Sequence, residues 1–153
     1  MSSVSRSIDI SAPPSRVWAL ISDLPRMGAY SPENTGGRWV RGGGPIVGAA
    51  FRGTNRRGLR HWITWAYVTD AEPGRSFSFR VGAGPLTVTI WSYAIEPIEN
   101  GCRVTETWQD RRGAAVARLG DLLSGEHDRA GFTVRSIDQT LSRIKSDAEG
   151  VAS

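Results

Sequence analysis

The chain has 153 residues, of which 39% are apolar and 22% charged, with a formal net charge of +4. That length fits one domain (1–153) with a packed core, and the composition excludes a disordered, collagenous or disulfide-rich chain. Eighteen glycines and eight prolines favour a turn-rich fold containing sheet over a helical bundle.

The lone cysteine, Cys102, excludes an internal disulfide and fits a reducing cytoplasm. It reads as a small buried hydrophobe or as a reactive thiol. No stretch approaches the roughly 18 apolar residues of a membrane span. The first six residues lack the apolar run of a signal peptide, so a cytoplasmic protein is expected. Arginine supplies nearly all the basic charge, Lys145 being the only lysine. Acids are interspersed with it from Glu96 to Asp128, whereas a nucleic-acid face would segregate charge. No nucleic-acid partner is therefore expected.

Val4–Ile10 reads as a first strand with Val4, Ile8 and Ile10 on one face. Ser11 is a candidate cap for the helix that follows, and Pro13-Pro14 suits a first helical turn. Val17, Leu20, Ile21 and Leu24 make its buried stripe. Pro25 ends it, and residues 26–30 suggest one more short turn before Ser31-Pro32.

From residue 36 to about 111 the apolar period becomes two. Arg38–Arg41 is a short strand, and Val47, Ala49 and Phe51 alternate into the next, closed by a turn at Asn55–Gly58. His61–Thr69, Ser76–Val81, Leu86–Glu96 and Cys102–Asp110 follow as strands, with turn signals at Glu72-Pro73-Gly74, Gly82–Pro85 and Asn100-Gly101. Short turns between neighbours imply an antiparallel meander. A short helix is suggested over Val116–Leu123. A long one runs from about Glu126 to Ala148, with Ala130, Val134, Ile137, Leu141, Ile144 and Ala148 along one stripe. The periodicity thus gives an α+β architecture.

Seven landmarks in this order resemble the START-like (SRPBCC) superfamily, in its polyketide cyclase/dehydrase-like branch. They are Ala12-Pro13-Pro14 with Val17-Trp18, Ser31-Pro32-Glu33, and Val47–Gly53. Glu72–Phe77, Trp91–Pro97, Gly101–Glu106 and Thr140–Lys145 complete the set. The resemblance spans about Val4 to Glu149. It implies a helix-grip fold: a curved antiparallel sheet of about seven strands around a long C-terminal helix, with two short helices after the first strand. It also implies an apolar ligand cavity between sheet and helix. It implies little about catalysis, because that superfamily grafts different functions onto one scaffold.

His61–Val68 is aromatic or apolar on both faces, so one set must face the interior. Trp65, Tyr67, Phe77, Phe79, Trp91 and Trp108, with Val134, Ile137 and Leu141 of the last helix, are the candidate cavity lining. Aromatic faces suit planar apolar ligands. Each ring is also consistent with ordinary core.

Glu106 shares a strand face with Cys102, Val104, Trp108 and Asp110. Desolvation there would raise its pKa into the range of a general acid or base. The alternative is that it pairs with an arginine, such as Arg80, and braces the sheet. Tyr93 and Arg80 join it as candidate catalytic residues that would move protons or polarise carbonyls. His61 and His127 read as surface residues. Two distant histidines and one cysteine make no zinc site, and no cofactor is expected. Neither a nucleophile elbow nor a phosphate loop is present. The Arg52, Arg56, Arg57 and Arg60 cluster reads as a solvated hairpin tip.

Three functions follow. The first is binding of a hydrophobic, lipid-like or polyketide-like molecule in the cavity. The second is a cyclase or dehydratase that folds its substrate by positioning. The third is an interaction module contacting a partner through the basic hairpin. A homodimer is left open.

Overall fold

The computed structural model describes residues 3–29, 34–83, 86–111 and 129–150. Strand β1 (Ser3–Ile10) leads into helix α1 (Pro14–Ile21) and a short 3-10 helix, Leu24–Ala29. Strands β2 (Asn34–Arg41), β3 (Ala50–Arg57), β4 (Arg60–Glu72), β5 (Ser76–Ala83), β6 (Leu86–Ile98) and β7 (Gly101–Asp110) follow, then helix α2 (Arg129–Ala148). The strands form one antiparallel sheet in the order β1-β7-β6-β5-β4-β3-β2. The meander therefore returns its last strand to its first, and α2 packs against β1, β7 and α1. This is the helix-grip fold, a curved seven-stranded sheet closed on a C-terminal helix.

The entry to α1 follows from its prolines. Pro13 caps the helix in an extended conformation and Pro14 takes the first helical position, where a missing N–H loses nothing. Ser11 is not the cap. Its backbone N–H instead donates to Glu149 Oε2 at 2.8 Å, tying this corner to the end of α2. Val17 and Ile21 are buried, and the Trp18 indole donates to the Ser76 carbonyl at 2.8 Å while its ring meets Phe77 edge-on.

Several strand boundaries differ from the sequence expectation: β2 begins at Asn34 rather than Arg38, and β4 runs on to Glu72. Val47 is exposed in the loop before β3, which begins only at Ala50. β3 and β4 pair through Arg57 and Arg60, so the turn is Gly58-Leu59 rather than Asn55–Gly58. Gly58 supplies the positive φ that this two-residue turn needs.

The Asn100-Gly101 signal marks the β6–β7 hairpin, shifted by one residue. Ile98 pairs with Gly101, which leaves Glu99 and Asn100 as the turn, with Asn100 at φ 68°. Gly101 serves another purpose: a Cβ there would stand 2.0 Å from the Ile10 carbonyl oxygen. Only glycine lets the end of β1 approach so closely.

The Ser31-Pro32 turn, the Val116–Leu123 helix, His127 and the Glu126 start of the long helix lie outside the described residues, as do Gly84 and Pro85 of the β5–β6 turn. Among the described residues, no helix is long and apolar enough to cross a membrane.

Candidate functional site

The pleat decides which side chains meet α2. Cys102, Val104, Glu106 and Trp108 are all buried on one face of β7. Across on β6, Tyr93 stands directly opposite Glu106, and Trp91 opposite Trp108. On β5, Phe77 pairs with Tyr93 and Phe79 with Trp91. Ile137, Leu141 and Ile144 of α2 join the same core, and Trp91 packs against it half-buried. Val134 is partly buried on α2.

Glu106 is thus a carboxyl inside an apolar core, only 2% exposed. The Tyr93 hydroxyl donates a hydrogen bond to it, while its Oε1 has no partner among the described residues. Burial pushes Glu106 up to about 8, against the Tyr93 hydrogen bond, which lowers it. Tyr93 is itself held well above its ordinary value, by burial first and then by the Glu106 charge and hydrogen bond. At neutral pH the pair is therefore mainly an uncharged carboxylic acid beside an uncharged phenol. Such an acid has an O–H to donate and a carbonyl oxygen to accept, and it can transfer a proton.

The other sequence candidates divide by face. Ala66 and Val68 are the buried residues of β4. Trp65 and Tyr67, expected to line the interior, alternate with them and point to the opposite face, where Trp65 is 37% exposed. Register places Arg80 on that face too, opposite Tyr67, with its guanidinium 4.2 Å above the Tyr67 ring. Arg80 therefore neither pairs with Glu106 nor joins Tyr93. The physical reason is the one-residue alternation of a strand that is apolar on both sides. His61 is exposed. Cys102 is fully buried, and burial raises its thiol, with the Asp9 charge adding to the effect.

One neighbour escaped the sequence reading. Arg6 of β1 is the direct register partner of Glu106. Its guanidinium is turned to α2, donating to both carboxylate oxygens of Asp138 at 2.9 and 3.2 Å. The signal was an arginine in the inward frame of β1, between Val4 and Ile8. Buried polar groups Ser22, Thr133 and Thr140 were also missed. Among the described residues, no group of three His, Cys, Asp or Glu could hold a metal ion.

A helix-grip fold closed over an interior carboxyl defines a START-like scaffold protein. The chain belongs to the family described as polyketide cyclase/dehydrase and lipid transport, whose sequence profile matches residues 1–149. Among solved structures it is similar to the Polyketide_cyc-like protein Cgl2372 from Corynebacterium glutamicum. Identity is 34%, coverage 94% of this chain and 88% of that one, and the TM-score 0.61. The di-domain ARO/CYC StfQ of the steffimycin biosynthetic pathway shares the fold at 12% identity and a TM-score of 0.74, covering 97% of this chain and 50% of its own. The Aha1 dimer from Colwellia psychrerythraea shares it at 18% identity and 0.64, covering 97% of each chain. No curated protein matches the chain.

Proposed function

We propose that the protein binds a hydrophobic small molecule, lipid-like or polyketide-like, between the sheet and α2. The observation that carries this reading is the Oε1 of Glu106, buried in a largely apolar interior and without a partner among the described residues. A buried polar atom without a partner is destabilising, by about 1–3 kcal/mol, and native cores rarely keep one. A ligand hydroxyl or carbonyl seated against Glu106 and Tyr93 would satisfy it. The family description, which joins polyketide chemistry to lipid transport, supports the same class of ligand. Phe77, Phe79, Trp91, Trp108, Ile137 and Leu141 would make the apolar contacts.

A second reading is favoured by the Tyr93–Glu106 pair. A carboxylic acid that keeps its proton near pH 7 can protonate a ligand carbonyl or take a proton beside it, as a cyclase or dehydratase requires. The di-domain ARO/CYC StfQ shares only the fold, so the pair itself supports this reading.

Native mass spectrometry of the purified protein, followed by organic extraction, tests the first reading. A released fatty acid, sterol or polyketide supports it. A clean unliganded mass, with no change in melting temperature across a panel of apolar compounds, refutes it. Turnover of an extracted compound that survives Glu106→Gln unchanged removes Glu106 from the second.

A further inference from the structure

Arg6 and Glu106 stand directly opposite each other in the β1–β7 ladder, on the same face of the sheet. Cross-strand partners have Cβ atoms about 4.5–5.5 Å apart, well within the reach of an arginine and a glutamate. An opposite-charge pair is the expected arrangement, and it is not formed. Arg6 instead gives its two-pronged hydrogen bond to Asp138, the residue after buried Ile137 on α2. The Asp138 bond and charge account for the raised pKa of Arg6. Among the described residues, burial and the Tyr93 hydrogen bond set the pKa of Glu106, and Arg6 does not contribute.

We infer that Asp138 is a positioning residue: it holds the Arg6 guanidinium at the helix and off Glu106, so that the interior carboxyl stays uncompensated and open to a ligand's polar group. Other groups do not substitute for this. Facing Glu106 from β6 is Tyr93; from β5 come Phe77 and Phe79; along β7 lie Val104 and Trp108. Among the described residues of α2, Thr133, Ile137, Thr140 and Leu141 are buried, and half-exposed Asp138 borders them. Arg103 lies on the other face of β7, paired with Asp9 at 2.7 Å. Among the described residues, Arg6 is therefore the one cation in register with the site, and Asp138 decides where it points. A bidentate guanidinium–carboxylate pair is well suited to this, because its geometry is fixed at two points.

The inference concerns the ligand site proposed above and takes its significance from it, but its test needs no ligand. The side-chain carboxyl of Glu106 is followed by carbon-13 NMR across pH, with Glu106→Gln identifying the resonance. The wild-type midpoint is expected near 8. In Asp138→Asn the freed guanidinium turns to Glu106 and lowers the midpoint by about 1 pH unit or more. Asp138→Glu, which keeps the carboxylate, stays close to wild type, and Arg6→Gln combined with Asp138→Asn returns to it. Arg6→Gln alone leaves the midpoint where it was, and it tests the same point should Asp138→Asn fail to fold. An unchanged midpoint in Asp138→Asn overturns the inference, as does a rise in Arg6→Gln. Absence of any ligand would count against the proposed function and leave these titrations readable.

Discussion

Glu106 and Tyr93 face each other across β7 and β6, and among the described residues the Tyr93 hydroxyl is the one group that hydrogen-bonds the buried carboxyl. The pair is set by the β6–β7 hairpin. A slip of one residue in β7 would carry Glu106 to the outer face and bring Thr105 or Thr107 inward against Tyr93. The hairpin turn at Glu99-Asn100 therefore positions the chemistry as well as the strands.

The ionisation of Glu106 makes stability depend on pH. Its folded value of about 8 exceeds the ordinary 4.5, so the folded state holds the proton more tightly. This contribution is fully present below about pH 4.5 and is lost as the pH rises through about 8. A tenfold change in proton affinity corresponds to about 1.4 kcal/mol, which makes the whole effect on the order of a few kcal/mol. Glu106→Gln lacks this titration. Urea midpoints should show wild type losing stability relative to the variant between about pH 5 and 8.5. A constant difference across that range would contradict the assignment.

Tyr93→Phe keeps the ring and removes the hydrogen bond. Because that bond lowers the pKa of Glu106, its loss should move the carboxyl midpoint further up. Both carboxyl oxygens then lack a partner, and stability should fall by about 1–3 kcal/mol. Carbon-13 titration and denaturant melts measure the two effects separately.

Gly101 should not tolerate a side chain. In Gly101→Ala the new Cβ would meet the Ile10 carbonyl oxygen at 2.0 Å and Ser11 Cα at 3.1 Å, both main-chain atoms. Relief requires separating β1 from β7 at the corner that leads into α1. A loss above about 2 kcal/mol is expected, read as a fall in melting temperature.

The Cys102 thiol is enclosed and its pKa raised, so thiolate is scarce and access is closed. Ellman's reagent should leave the folded protein unmodified and label one thiol after denaturation. Rapid labelling of the native form would mean that β7 opens locally.

The strands of this fold were legible because their apolar residues alternate and glycine or asparagine punctuates the turns. Glu106 was legible for the same reason, as an acid in the frame of Cys102, Val104 and Trp108. The face of β4 was not. Trp65 and Tyr67 carry more apolar surface than Ala66, yet Ala66 is the inward residue, paired across the sheet with Phe51 and Val81, while Val68 pairs with Phe79. Size could not reveal that, since it depends on residues from two other strands. Arg6 was hidden by distance along the chain. Its partners Glu106 and Asp138 become neighbours only once β1 is laid beside β7 and α2 packs across both.

The outer face offers the sharpest contrast to an interior site, because it exposes the apolar side chains of Ile63 and Trp65. An NMR titration of isotope-labelled protein with 2-acetylnaphthalene, a planar apolar ketone, separates the two. An interior site predicts saturable chemical-shift changes at the Glu106 carboxyl, the Tyr93 ring and the methyl groups of Ile137 and Leu141. Changes confined to Ile63 and Trp65, or none at all, would contradict it.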